Sequence, residues 1–213
     1  MLLGEPARTD WDWNFQLLGI RIRIHPLFWA IAALLGLQSV NQDLVLLLLW
    51  IAAVFISIVV HELGHALCFR YYRINSHIVL YHFGGLAIPD SFQVAGYGSQ
   101  LKPGQQLAIS AAGPAAQLGL AFIVILLLRL AGYSDGLVSR FVPPHWTADP
   151  LVLVPSKEFA EFILYFLYVS IFWALLNLMP VYPLDGGQIA RELFLLGGSR
   201  QAIPRSLILS IVV

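Results

Sequence analysis

Apolar residues in this chain gather into long runs separated by short polar interruptions, and the runs predict the elements. Residues 44–69, 105–131 and 158–178 are each about 20 residues or longer, the length a helix needs to cross a bilayer. Residues 26–40 form a shorter apolar run opened by Pro26, whose missing N–H costs nothing in a first helical turn. At that length its ends must sit in the interface or be completed by the segment before it. The last 13 residues, 201–213, are apolar and read as an incomplete fifth span, with the C-terminal part missing.

The shorter patterns differ in period. Over residues 15–25, Ile20, Ile22 and Ile24 alternate with Arg21 and Arg23, a period of two that predicts a short strand with one apolar face. Residues 76–88 are β-prone and break at Gly84-Gly85, which suggests a hairpin or a looped sheet edge. Residues 89–104 and 133–157 read as loops. Pro180, Pro183, Gly186 and Gly187 forbid a regular helix after the last long run, and residues 188–196 resume a short one. The predicted fold class is an all-α polytopic membrane protein: a bundle of transmembrane helices with a small β element on the cytoplasmic side, forming one core over residues 1–213.

Composition agrees with this pattern and removes the soluble alternative. Hydrophobic residues make up 59% of the chain and charged residues 11%, against roughly 45–50% and about 25% in soluble domains. Net charge is zero, which gives no reason to expect nucleic acid as a partner. Cys68 is the single cysteine, so no intrachain disulfide forms. Met1 to Asp12 is polar and carries both charge signs, unlike a secretory leader, so the first apolar helix is expected to stay in the mature protein.

The basic residues set an orientation. Arg8, Arg21, Arg23, Arg70, Arg73, Lys102, Arg191, Arg200 and Arg205 fall on one side of the predicted spans; Arg140 and Lys157 fall on the other, with Arg129 near the end of a span. An excess of Lys and Arg marks the cytoplasmic side. The expectation is an integral multi-pass protein of the cell membrane whose N-terminus, β-prone segment and Asp185 loop face the cytoplasm.

One polar island interrupts the 44–69 run: His61-Glu62-Leu63-Gly64-His65. Titratable groups inside a membrane are expensive, and their default reading is a functional site. His61 and His65 lie one helical turn apart on one face, so both imidazoles reach one Zn²⁺. Glu62 stands where His-Glu-x-x-His hydrolases keep their general base. The alternative, a solvated helix end, is opposed by position. His61 lies about 27 Å along the helix from Asp43 and about 13 Å before Arg70 at 1.5 Å per residue, inside the bilayer but nearer the basic side.

A catalytic zinc takes three protein ligands and leaves a fourth position open. Asp185 is favoured for the third, because such a ligand usually comes from a separate element. Cys68, three residues after His65, is the rival, and its plain reading is a small buried apolar residue. Asn177 is a candidate to stabilise a developing oxyanion; by spacing alone it is nearly as plausible as a helix C-terminal cap. Gln117, polar within its span, needs a partner. His82 to Gly85 offers either an open strand edge for an unwound substrate or a packed surface hairpin. His25 and His145 read as interfacial or solvated.

The chain resembles the site-2 protease family of intramembrane zinc metalloproteases. The resemblance rests on His61-Glu62-Leu63-Gly64-His65-Ala66-Leu67 and on Asn177 through Gly187, which is similar to the family's Asn-x-x-Pro-x-x-x-Leu-Asp-Gly-Gly signature. Gly19-Ile20 through His25-Pro26, Phe83-Gly84-Gly85 and Ala112-Gly113-Pro114 also look family-like, so the likeness covers about residues 17–190. It implies zinc held by His61, His65 and Asp185, catalysis by Glu62, and cleavage of membrane-anchored protein substrates within or near a transmembrane segment, often releasing a cytoplasmic regulator. Gln117 departs from the family, where many members carry Asn. Only about 30 residues separate the second and third spans, too few for an inserted PDZ domain. A metal carrier or transporter is the main rival; it predicts a continuous path of ionisable residues, of which the other spans offer few. A membrane metallopeptidase with a Glu ligand and a non-catalytic scaffold are weaker rivals. Substrate identity and oligomeric state are not readable from the sequence.

Overall fold

The structure is a computed structural model that describes residues 5–37, 43–82, 84–90, 101–131 and 156–198, together with Ser206 and Ser210. Its elements in chain order are β1 (Trp13–Leu17), β2 (Ile20–Ile24), α1 (Pro26–Leu37), α2 (Leu44–Tyr71), β3 (Ser76–Tyr81), β4 (Gly84–Pro89), α3 (Pro103–Leu130), α4 (Lys157–Asn177) and α5 (Asp185–Leu196). α2 and α3 have 28 residues each and α4 has 21. At 1.5 Å per residue they reach about 42 and 32 Å, enough to cross a hydrocarbon layer of roughly 30 Å. α1, with 12 residues, reaches only about 18 Å and follows β2 almost without a break.

Local chemistry fixes the helix starts. The Asp43 carboxylate accepts from the amides of Val45 and Leu46 at 2.9 and 3.3 Å, and the Ser156 hydroxyl accepts from Phe159 at 3.2 Å. Both occupy the N-cap position and satisfy amides that the helix itself cannot pair. Pro103 opens α3, while Pro114 lies within it and leaves the helix continuous.

The four strands form one sheet in the order β1-β2-β3-β4. β1 and β2 are an antiparallel hairpin, β2 and β3 run parallel, and β3 and β4 are antiparallel. The parallel pair is possible because α1 and α2 carry the chain back between its strands. Ile20, Ile22, Ile24, Ile78 and Leu80 of the sheet pack with Val54, Ile58, Val59, Leu63 and Ala66 of α2. A second cluster joins Ala53 of α2, Ala121 and Leu128 of α3, and Ile163, Phe166 and Leu167 of α4. α2 is thus packed on both sides, with the sheet against one face and the other two long helices against the other. Leu34, Leu48, Phe122, Leu127, Phe172 and Leu175 are exposed, as residues facing lipid are.

Three boundaries differ from expectation. The strand over 15–25 is a hairpin that turns at Leu18 and Gly19, both at positive φ (53° and 77°). The break expected at Gly84-Gly85 falls earlier, between Tyr81 and Gly84, and both glycines belong to β4. The helix expected from 188 starts at Asp185. The span expected over 26–40 is described as helix only to Leu37. The fifth span over 201–213 lies outside the described residues except Ser206 and Ser210, as do Arg140, His145 and Phe83.

Candidate metal centre and strand edge

The three long helices and α5 bring His61, His65 and Asp185 together, the single group of three metal-ligating side chains among the described residues. His61 Nε2 lies 3.0 Å from Asp185 Oδ2, His65 Nε2 lies 3.3 Å from the same oxygen, and the two Nε2 atoms are 3.1 Å apart. A tetrahedron of ligands about 2.0–2.1 Å from a zinc ion has edges of about 3.3–3.4 Å. The observed spacings therefore fit a small four-coordinate ion with only slight expansion. Cys68 lies on the same helix, half-buried, and is not in the group.

Each imidazole is oriented through its other nitrogen. His65 Nδ1 is 2.7 Å from the carbonyl of Ile109, and His61 Nδ1 is 2.9 Å from Gln117 Oε1. A carbonyl only accepts, so His65 carries its proton on Nδ1 and presents a lone pair at Nε2. Its ring lies against Gly113, where a Cβ would overlap the imidazole. Gln117, whose partner the sequence left open, is almost completely buried against His61. Its amide nitrogen lies 2.7 Å from Ser57 Oγ, and Ser57 Oγ lies 2.9 Å from Ser170 Oγ.

Glu62, one position round the helix, is buried toward the sheet. Its side chain fills the space that a Cβ on Gly85 would need, and its carboxylate is within reach of the Ala87 amide. Among the described residues β4 is the last strand in the sheet, and its pairing shows which groups β3 does not engage. Asp90 N donates to Asn75 O, and Leu80 O accepts from His25 N on the β2 side. With Leu80 opposite Gly85 and Ile78 opposite Ala87, alternation directs the N–H and C=O groups of Gly85 and Ala87 away from β3. The edge strand thus turns backbone that β3 does not pair toward the helix that carries Glu62, and the Ala87 amide within it donates to the Glu62 carboxylate.

An apolar cavity of about 430 Å³ adjoins the start of this strand, bounded by Ala32 and Leu35 of α1, Val54 and Ile58 of α2, Phe172 and Trp173 of α4, and Gly84. Asn177 closes the last turn of α4, where its side-chain amide donates to Trp173 O at 2.9 Å. That bond ties the side chain back to the helix's own last turn. α5 is held to α3 by Gln188, whose Oε1 accepts from Gln106 at 3.3 Å and Ser110 at 3.5 Å. Nothing in the sequence singled out Gln106, Ser110 or Gln188, because polar residues one turn apart at the start of a helix ordinarily face solvent.

The chain matches peptidase family M50 over residues 49–210, which takes in most of α2 and all of β3, β4, α3, α4 and α5. It belongs to that family. The site-2 protease resemblance is borne out. The M50 chain is 28% identical over 181 residues to the zinc metalloprotease MJ0392 of Methanocaldococcus jannaschii, a match covering 84% of this chain and 44% of that protein. It is 30% identical over 178 residues to stage IV sporulation protein FB of Bacillus subtilis, covering 82% and 48%. The chain spans less than half the length of these curated relatives. Its fold is similar to a solved structure described as the site-2 protease from Methanocaldococcus jannaschii, with a TM-score of 0.52 at 20% identity, covering 94% of this chain and 93% of that one.

Proposed function

We propose that this chain is an intramembrane zinc endopeptidase that cleaves membrane-anchored proteins within or near a transmembrane segment, releasing a regulator on the cytoplasmic side. The observation that carries this reading is the convergence of three ligand atoms, within a membrane-length helix bundle, next to a buried glutamate and a free strand edge. His61, His65 and Asp185 would hold the ion. Zinc there would supply Lewis-acid polarisation of a peptide carbonyl and a water acidic enough to lose a proton near neutral pH.

The remaining work falls to the chain's own groups. Glu62 takes the proton of the attacking water and returns it to the leaving amine, a role that needs a carboxylate beside the cleaved bond. A helical substrate hides its carbonyls in i→i−4 hydrogen bonds, so the segment must unwind before it is cut. The backbone of Gly85 and the carbonyl of Ala87 offer it replacement partners as an added strand, while the Ala87 amide holds Glu62. The apolar cavity beside Gly84 accommodates bulky apolar side chains from the unwound segment. Asn177 keeps a second amide hydrogen beyond the one given to Trp173, and that hydrogen would serve the carbonyl oxygen as charge develops. The basic side of the bundle, with Arg21, Arg70, Arg73 and Lys102, is read as cytoplasmic.

The test is Glu62→Gln in vesicles holding a single-span substrate with a reporter on its cytoplasmic end. The parent should free the reporter, and the variant should bind zinc normally yet free none. Zinc-dependent transport without cleavage by the parent would favour a carrier and sink the reading.

A further inference from the structure

We propose that Gln117 is a positioning residue that locks His61 into its Nδ1-protonated tautomer, and that Ser57 and Ser170 hold Gln117 in the orientation this requires. The proposal rests on the reading of His61 as a metal ligand. His61 Nε2 binds an ion only if it carries a lone pair, so the ring proton must be on Nδ1 and must have an acceptor. Gln117 faces Nδ1 at 2.9 Å, but an amide flips easily and could present its NH₂ instead. In that orientation the amide would donate to Nδ1, the proton would move to Nε2, and the ligand would be lost.

Two contacts favour the useful orientation. Ser57 offers Gln117 its hydroxyl at 2.7 Å and its backbone carbonyl at 3.5 Å. A carbonyl accepts only, so the NH₂ belongs on the Ser57 side and Oε1 on the His61 side. The Ser57 hydroxyl, accepting from Gln117, is also paired with Ser170 Oγ at 2.9 Å, a bond in which either hydroxyl can donate. Ser57, Gln117 and Ser170 are each almost completely buried. A polar chain at that depth is costly unless every member is paired in a consistent direction. The relay crosses α2, α3 and α4, so the tautomer of one imidazole is set by the packing of all three. The side-chain length matters as well, since the amide must reach His61 and Ser57 at once.

The experiment measures zinc affinity of the full chain in detergent by competition with a chromophoric chelator, and the visible absorption of the Co²⁺-loaded protein. Gln117→Leu removes the acceptor at similar size and should weaken zinc binding by about 10–100-fold and alter the Co²⁺ bands. Gln117→Glu keeps an acceptor at the same reach and should bind close to the parent. Ser57→Ala and Ser170→Ala should fall between these, because the amide remains but is less firmly aimed. Parent-like affinity and spectrum in Gln117→Leu would overturn the proposal. So would an equal loss in Gln117→Glu, which would mean that packing rather than the acceptor matters. A parent that binds zinc with these dependences but cleaves nothing would count against the protease reading and not against this one.

Discussion

Between the two candidates for the third ligand, the positions of single side chains favour Asp185. Asp185 reaches both imidazoles at 3.0 and 3.3 Å, while Cys68 stays outside the group. Asp185→Ala should therefore lose stoichiometric zinc, and Cys68→Ala should keep it, as read by metal analysis of the purified proteins; zinc retained in Asp185→Ala would reverse the assignment. His61, Glu62 and His65 were legible because their relation is local: helical periodicity alone places residues one and four apart. Asp185 was legible only as a candidate, since spacing does not reveal that a helix 124 positions beyond His61 returns to it. The serines that support Gln117 carried no signal. Ser57 and Ser170 lie 113 positions apart, and each alone looks like a small residue tolerated in a span.

At the scale of elements, length and hydropathy revealed the three long helices, because the bilayer imposes both. The hairpin at Leu18-Gly19 was missed, since Leu is uncommon at positive φ and the segment lacks the Asn-Gly signal of a tight turn. β4 was misplaced for a different reason. Gly85 is a glycine because Glu62 fills the space its Cβ would need, not because the chain turns there. The outer face of the sheet carries an attachment with a pH signature. Arg23 binds Asp12 at 2.8 Å, Glu5 at 2.9 Å and the carbonyl of Pro6 at 2.9 Å, tying the N-terminal arm to β2. Burial raises the Asp12 pKa, but hydrogen bonds from Thr9 and Arg23 and the Arg23 charge outweigh it and lower the pKa from 3.8 to about 2. The folded state thus binds this proton less readily than the unfolded one. The resulting stability is fully present above 3.8 and lost as pH falls toward 2. Asp12→Asn should be less stable than the parent at pH 5, with the difference shrinking as the pH is lowered toward 2, followed by thermal unfolding in detergent.

For the whole molecule, the sequence showed a polytopic bundle with a small sheet, but not how the parts enclose a site. That depends on α2 being sandwiched between the sheet and the other helices, an arrangement no local pattern encodes. The placement of Asp185 has a further consequence. It is the first residue of α5, and the stretch between α4 and α5 is irregular, so the liganded ion would act as a cross-link closing a long loop of chain. As with other cross-links, the gain is largely the lost freedom of the open chain, and it grows slowly with loop length. Metal removal should then act unevenly. The α4–α5 connection and α5 should become open to limited proteolysis on chelation, while α2, α3 and α4, joined by their own apolar cluster, stay resistant. Uniform digestion of every element on chelation would argue against that division. In this view the ion is a clasp as well as a reagent, and without it α5 rests on its packing and Gln188 hydrogen bonds against α3.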